Sequence, residues 1–228
     1  MRPDILFSIF APITSLPGVG PKIGKLIERL AGPAIVDLLW HLPSGLIDRR
    51  YAPAIMDAAE GAIATLTVTV DKHFPSARRG LPYRIRCRDE TGFITLVFFN
   101  GREDYLRKIL PDGEIRVVSG RIERYRDEFQ MTHPDHIGSI DEIEAIKSVE
   151  PVYPMTAGLT ARPLNKAIAA AVALAPDLPE WNDGPWHRQR KWMDWRTSLS
   201  SAHAPQSESD LMPDAPARER LAYDELLA

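Results

Sequence analysis

Residues 83–100 read YRIRCRDETGFITLVFFN. Tyr83, Ile85 and Cys87 alternate with Arg84, Arg86 and Arg88, the two-residue period of a strand with one apolar and one cationic face. Asp89-Glu90-Thr91-Gly92 carries turn chemistry and FITLVFFN follows it, so the stretch reads as a β-hairpin. Upstream, ATLTVTV (64–70) sets Leu66, Val68 and Val70 on one face and Thr65, Thr67 and Thr69 on the other. Downstream, EIRVVSGRIERY (114–125) is a long strand with Gly120 near its middle, where barrel strands bend or bulge, and EFQMTHPDHI (128–137) is a fifth. Five such strands predict a small barrel of the oligonucleotide-binding (OB) type.

Around this core the periodicity becomes helical. LPGVGPKIGKLIERL (16–30) places a Pro-Gly-Val-Gly-Pro turn before Ile23, Leu26, Ile27 and Leu30, and a second short helix through Ile35, Leu38, Leu39 and Trp40 stops at Leu42-Pro43. After residue 150 come an alanine-rich helix over Leu164–Leu174 and a stretch holding Trp181, Trp186, Trp192 and Trp195. A polar segment (203–216) and a last helix, ARERLAYDELLA (217–228), end the chain. The expected class is α+β: a five-stranded OB-type barrel flanked by helix-hairpin-helix-like N-terminal helices and a C-terminal helical segment. The expected divisions are 1–52 (helical), 53–148 (barrel) and 149–228 (helical linker), with the helical reading of the first running to about Tyr51.

A formal net charge of −3 over 228 residues argues, taken whole, against a nucleic-acid binder. The distribution argues the reverse. Asp71 to Arg126 holds 13 bases against 8 acids, and no acid interrupts Lys72 to Arg88. It is the local field that steers a polyanion. The chain has 1 cysteine, Cys87, which excludes an intrachain disulfide and a cysteine zinc cluster and fits a reducing, cytoplasmic setting. No apolar run reaches membrane-spanning length. The histidines lack ligand spacing and no carboxylate pair suggests a catalytic centre, so neither a catalytic nor a metal site is expected.

Three groups of residues remain as candidates. The Gly18-Val19-Gly20 turn before Lys22 opens a helix whose N–H groups favour an anion, as in helix-hairpin-helix motifs; the plain alternative is a tight turn between packed helices. Arg84, Arg86 and Arg88, with Arg78 and Arg79 in the preceding loop, can track successive phosphates; the alternative is a solvated sheet face. In Phe98-Phe99, one ring can enter the core while the other points out to stack on an unpaired base, with Tyr105 in the following loop; the alternative is that both are buried.

LPGVGPKIGKLIERL, DLLWHLPSGLIDRRY, RDETGFITLVFFN, VVSGRIERYRDEFQMTHPDHI, VEPVYPMTAGLTARPLNKAI and ARERLAYDELLA resemble, in this order, the N-terminal part of the RecG family of ATP-dependent branch-migration helicases. The resemblance implies a wedge domain that splits the arms of stalled forks and Holliday junctions in recombination and repair, with Phe99 at the position of a ring that stacks at the branch point. The family often carries a tyrosine soon after it; here Gly101, Arg102, Glu103 and Asp104 precede Tyr105, a longer loop. The resemblance places the ATPase motor lobes, with their ATP and Mg2+, beyond the last helix, so this chain needs no cofactor and hydrolyses no ATP by itself. The implied partners are branched DNA and those motor lobes, with no membrane, and the expected state is a monomer. The competing reading is an OB-fold protein-interaction module without direct DNA contact.

Overall fold

The computed structural model describes residues 3–76, 78, 80–181 and 184–227. In chain order its helices and strands are α1 (Pro21–Leu30), α2 (Ile35–Leu39), β1 (Gly45–Asp48), β2 (Ile63–Phe74), β3 (Tyr83–Arg88), β4 (Phe93–Phe98), α3 (Glu103–Ile109), β5 (Ile115–Arg121), β6 (Glu123–Tyr125), β7 (Glu128–Thr132), β8 (His136–Gly138), α4 (Ile143–Ile146), β9 (Val149–Val152), α5 (Ala161–Ala173), α6 (Gly184–Arg190), α7 (Trp195–His203) and α8 (Pro216–Leu227). They form two units, 47–149 and the combined flanks 1–46 with 150–228. The flanking segments, separate in sequence, therefore share one core.

In unit 47–149 the strands follow the order β6-β7-β4-β3-β2-β5-β8, with β4 and β7 parallel and the other pairs antiparallel. β5 runs on into β6 and β7 into β8, so the chain links the two ends of this order, as in a half-open barrel of the OB type. The five expected strands are all present, and the last two are each broken in two. The fourth breaks at Ile122, next to Gly120. A Cβ at Gly120 would lie 2.9 Å from Met131 Sδ and 3.3 Å from Pro134 Cα, so only glycine lets the strand cross this closely. The fifth breaks at His133-Pro134, where His133 has φ 48° and proline cannot donate to a ladder. Arg126 and Asp127, both at positive φ, make the tight hairpin turn between β6 and β7.

The barrel core takes Leu66, Val68 and Val70 from β2 and Tyr83, Ile85 and Cys87 from β3, as the alternation requires. It also takes Leu106 and Leu110 from α3 and its C-terminal end, so this helix closes one end of the barrel. Thr65 departs from the expected polar face: it is buried, and its hydroxyl donates to the Arg49 carbonyl and lies 2.9 Å from the Ser119 hydroxyl. Arg49, 3% exposed, donates to Ser119 at 3.3 Å and to Asp135 at 3.0 Å. A buried guanidinium tolerates this position only because these acceptors surround it.

In the other unit, α5 buries Leu164, Ala167, Ile168 and Ala171, the spacing of one helix face. They pack with Ile27 of α1, Ile35, Leu38 and Leu39 of α2, and Trp195 and Leu199 of α7. The helical reading to Tyr51 is corrected here: the helices end at Leu39, and after Leu42-Pro43 the chain is extended, with Gly45–Asp48 pairing with β9 as a separate two-stranded sheet. Pro43 explains the change, since it disfavours helical geometry at the residue before it. Tyr153 and His203 are both buried; the tyrosine hydroxyl meets His203 Nδ1 at 3.1 Å while Nε2 meets the Leu39 carbonyl at 2.9 Å. Burial pushes the Tyr153 hydroxyl up to about 12 and lowers the His203 imidazole below its ordinary value. Among the described residues no helix is long and apolar enough to cross a membrane.

Candidate nucleic-acid interface

Two surfaces of the barrel gather most of the candidate residues. The first lies at the end of β4. Phe98 closes the strand and is buried at 8% exposure, whereas Phe99, in the turn beyond it, is 50% exposed. Asn100 follows at φ 60°, a left-handed conformation that asparagine tolerates, and the chain turns there. The Phe99 N–H donates to His133 Nε2 at 3.2 Å, and the two rings lie 5.9 Å apart with an interplanar angle of 33°. The His133 ring also meets the edge of Phe98 at 6.1 Å. His133 thus anchors the turn and covers one side of Phe99.

Tyr105 does not lie in a loop, as expected from sequence, but on the first turn of α3, where it is 60% exposed. Glu103 and Asp104 supply the negative charge favoured at a helix start, and Arg107 and Lys108 the positive charge favoured at its end. Leu106 and Leu110 hold the helix to the barrel, and the buried His73 receives the Leu110 carbonyl at 2.7 Å on Nε2 and the Tyr83 hydroxyl at 3.0 Å on Nδ1. A carbonyl only accepts, so Nε2 carries a proton. The outcome is a cleft of about 430 Å³ lined by Phe99, Tyr105, Arg102, His133 and Ile137 among others, with Phe99 brought to it by the turn after β4 and Tyr105 by α3.

The second surface is the outer face of β3. Arg84, Arg86 and Arg88 are exposed there, alternating with the buried Tyr83, Ile85 and Cys87. The hairpin that presents them is fixed by Asp89: one carboxylate oxygen accepts from the Thr91 N–H and hydroxyl, both at 2.7 Å, and from the Gly92 N–H at 3.0 Å, and the other from the Ile55 N–H at 2.7 Å. Burial raises the Asp89 pKa, but these donors outweigh it and hold the carboxyl below its ordinary value. The three arginines are not equivalent. Arg86 Nε donates to Asp71 at 2.6 Å, whereas Arg84 and Arg88 make no ion pair among the described residues.

Arg78 is exposed in the loop between β2 and β3, and Arg79 lies outside the described residues. Lys22 belongs to the other unit, on the exposed first turn of α1. Gly18 before it has φ 80°, and a Cβ there would meet Lys166 Nζ at 3.8 Å, so a second lysine stands near this turn. Immediately before the turn lies the short 3-10 helix Ile13–Ser15.

Sequence reasoning passed over His133, Phe74 and Phe93. His133 gives no signal until the β4–β7 pairing brings it beside Phe99. Phe93 was within reach, because the Asp89–Gly92 hairpin pairs Arg88 with Phe93 and so sets that ring on the arginine face. Phe74 was not. By simple alternation from Val70 it would point inward, but a bulge between Val70 and Lys72 reverses the facing, burying His73 and turning Phe74 outward at 42% exposure.

Compared with known proteins, the chain matches the RecG wedge domain over residues 12–175. It is 27% identical over 237 residues to the ATP-dependent DNA helicase RecG of Pasteurella multocida (strain Pm70), covering 98% of this chain and 33% of that protein. To the ATP-dependent DNA helicase RecG of Escherichia coli (strain K12) it is 28% identical over 225 residues, covering 95% of this chain and 32% of that protein. The chain thus spans about a third of the length of these relatives. A solved structure of RecG bound to a three-way DNA junction shares the fold with a TM-score of 0.80 at 23% identity, over 99% of this chain and 30% of that one.

Proposed function

The chain belongs to the RecG wedge-domain family, and from that premise we propose that it binds branched DNA, at stalled forks and Holliday junctions, as the strand-separating part of a DNA helicase acting in recombination and repair. The observation that carries this reading is the half-exposed Phe99 ring, held by His133 at the end of a barrel strand and sharing a cleft with Tyr105. A motor drives duplex toward the barrel. The barrel is too bulky to enter the stack, so the strands part around it. Phe99 caps the first unpaired base at the branch, because a ring with one covered and one open face offers a stacking surface to any base.

Arg84, Arg88 and Arg78 hold backbone phosphates of the parted strands, and Tyr105 and Arg102 line the same path. Lys22 contributes a phosphate contact from the other unit. Contacts to phosphates carry no sequence information, so selectivity comes from the shape of the junction. The motor lobes of the same parent protein are the covalent partner, and ATP and Mg2+ act in those lobes: this sequence contains no Gly-Lys-Ser/Thr phosphate loop. The wedge works as a monomer.

The test is fluorescence anisotropy of this chain with a labelled fork, a linear duplex of the same sequence, and the fork at increasing salt. The expected result is tighter binding of the fork and a steep loss of affinity with salt. Equal affinity for fork and duplex, or no salt dependence, overturns it and favours an OB-fold protein-interaction module.

A further inference from the structure

The outer face of β3 carries a feature that the Phe99 cleft does not explain. Arg86 is flanked by two exposed rings on either side of its strand. Its guanidinium carbon lies 5.2 Å from the centroid of Phe93, on β4, and 5.9 Å from that of Phe74, on β2. Lys72 Nζ lies 5.6 Å from the Phe74 centroid. Phe93 is 55% exposed and Phe74 42%. An isolated exposed phenylalanine needs no explanation, but two that converge on one arginine from opposite strands form a continuous aromatic and cationic surface.

Three local devices build it. The bulge at Asp71 turns Phe74 outward. The Asp89 turn fixes the hairpin register that sets Phe93 opposite Arg88. The Asp71 carboxylate holds the Arg86 Nε at 2.6 Å, which orients the guanidinium and offsets its charge. Arg86 is therefore poorly suited to be a phosphate clamp. Its planar group, restrained between rings, is suited to stacking. Beside Phe93 opens a cleft of about 320 Å³ lined by Arg86, Thr95, Arg124, Phe129, Asp127 and Glu128 among others. The acids on that rim repel phosphate and leave the apolar floor to an uncharged ring.

We propose that Phe93, Arg86 and Phe74 form a second base-stacking platform that binds single-stranded DNA, with Arg84 and Arg88 holding the backbone on either side of Arg86. The platform takes unpaired bases, while the Phe99 cleft takes the branch point; the two clefts share no lining residue. Occupancy by a nucleic acid follows from charge: no acid interrupts Lys72 to Arg88 in the sequence, and Arg84 and Arg88 make no ion pair among the described residues. Occupancy by a single strand follows from the exposed Phe93 and Phe74 rings, which only unpaired bases can stack on. The proposal rests on the reading of the barrel as a DNA binder and names the part of the DNA that this face receives.

The experiment uses this 228-residue chain and two fluorescein-labelled probes at low salt: oligothymidylate, and an abasic oligonucleotide of the same length with the same backbone charge. Wild type should prefer oligothymidylate. Phe93→Ala should weaken oligothymidylate about five-fold or more, the low end of what deleting a stacking ring costs, and leave the abasic probe unchanged. Phe93→Trp should restore the preference. Phe74→Ala should act in the same direction. Unchanged oligothymidylate binding by Phe93→Ala, an equal loss on both probes, or a wild type that does not distinguish the probes overturns the platform. A wild type that binds forked duplex but neither single strand overturns the platform alone, whereas binding to no DNA at all overturns the DNA-binding reading itself.

Discussion

Replacing Phe99 by alanine removes a ring without disturbing what positions it. The bond that fixes the turn is made by the Phe99 main-chain N–H to His133, so it survives the substitution. The ring is 50% exposed and only one of its sides faces His133, at 5.9 Å, so little buried area is lost on truncation and thermal stability should change by about 0.5 kcal/mol or less. One open face accommodates one base. Deleting a base-stacking aromatic costs about 1–3 kcal/mol, and a single partly solvated face belongs in the lower part of that range, at about 1–2 kcal/mol. Fork affinity should therefore fall about 5- to 30-fold. Linear duplex, which presents no unpaired base, should be bound as before. Anisotropy with a labelled fork measures the first quantity, a linear duplex the second, and a thermal melt controls for folding. Phe99→Trp should keep wild-type affinity. If Phe99→Ala binds the fork as tightly as wild type does, or weakens fork and duplex equally, the ring does not stack at the branch and the capping argument fails.

The unpaired arginines separate from the paired one by salt. Arg84→Ala and Arg88→Ala should each lower the slope of log affinity against log salt by about 0.7–0.9, the value of one phosphate contact; Arg86→Ala, whose charge Asp71 already offsets, should lower it less, and an equal effect at all three positions would contradict the ranking. Arg49→Ala leaves Ser119 and Asp135 with fewer partners and a hole beside them, so the melting free energy should drop by about 2–4 kcal/mol with no change in the DNA-binding slope; a melt equal to wild type would show the network to be incidental. His203, whose buried imidazole is depressed below its ordinary value, binds a proton more readily when unfolded. Its contribution is therefore complete above about pH 6.5 and is lost as pH falls from there toward the lowered folded value; thermal melts across pH 5–7 should show a decline that His203→Gln reduces, and the same decline in both would exclude this histidine as its source.

The barrel was legible in the sequence because most of its strands obey a period of two: the Tyr83–Arg88 stretch alone gives both the core face and the cationic face. The α5 face was legible for the corresponding reason at helical spacing. What escaped was whatever interrupts a period. The bulge at Asp71 reverses the facing of His73 and Phe74, and nothing in the side chains of Val70 or Lys72 announces it. Ile122 and His133 break strands that read as continuous, because curving the sheet into a barrel requires sharp changes of direction that depend on strand partners far away in the sequence. Tyr105 was misplaced in a loop because its helix, α3, is short and is held by Leu106, Leu110 and the His73 bond to the Leu110 carbonyl. The inequality of the three arginines was hidden for a similar reason: Asp71 is distant from Arg86 along the chain and adjacent to it only across the β2–β3 pair.

Cys87 is fully enclosed in the barrel, and burial is the main reason its thiol is pushed up to about 12. At neutral pH it holds almost no thiolate, the form that reacts with maleimides and disulfide reagents. Since it is the 1 cysteine of the sequence, the native chain is chemically silent toward such reagents while folded. A thiol introduced at position 93, 99 or 105 would carry a dye or a cross-linker alone, so the path of each strand over the protein can be mapped without first deleting the natural cysteine from the core.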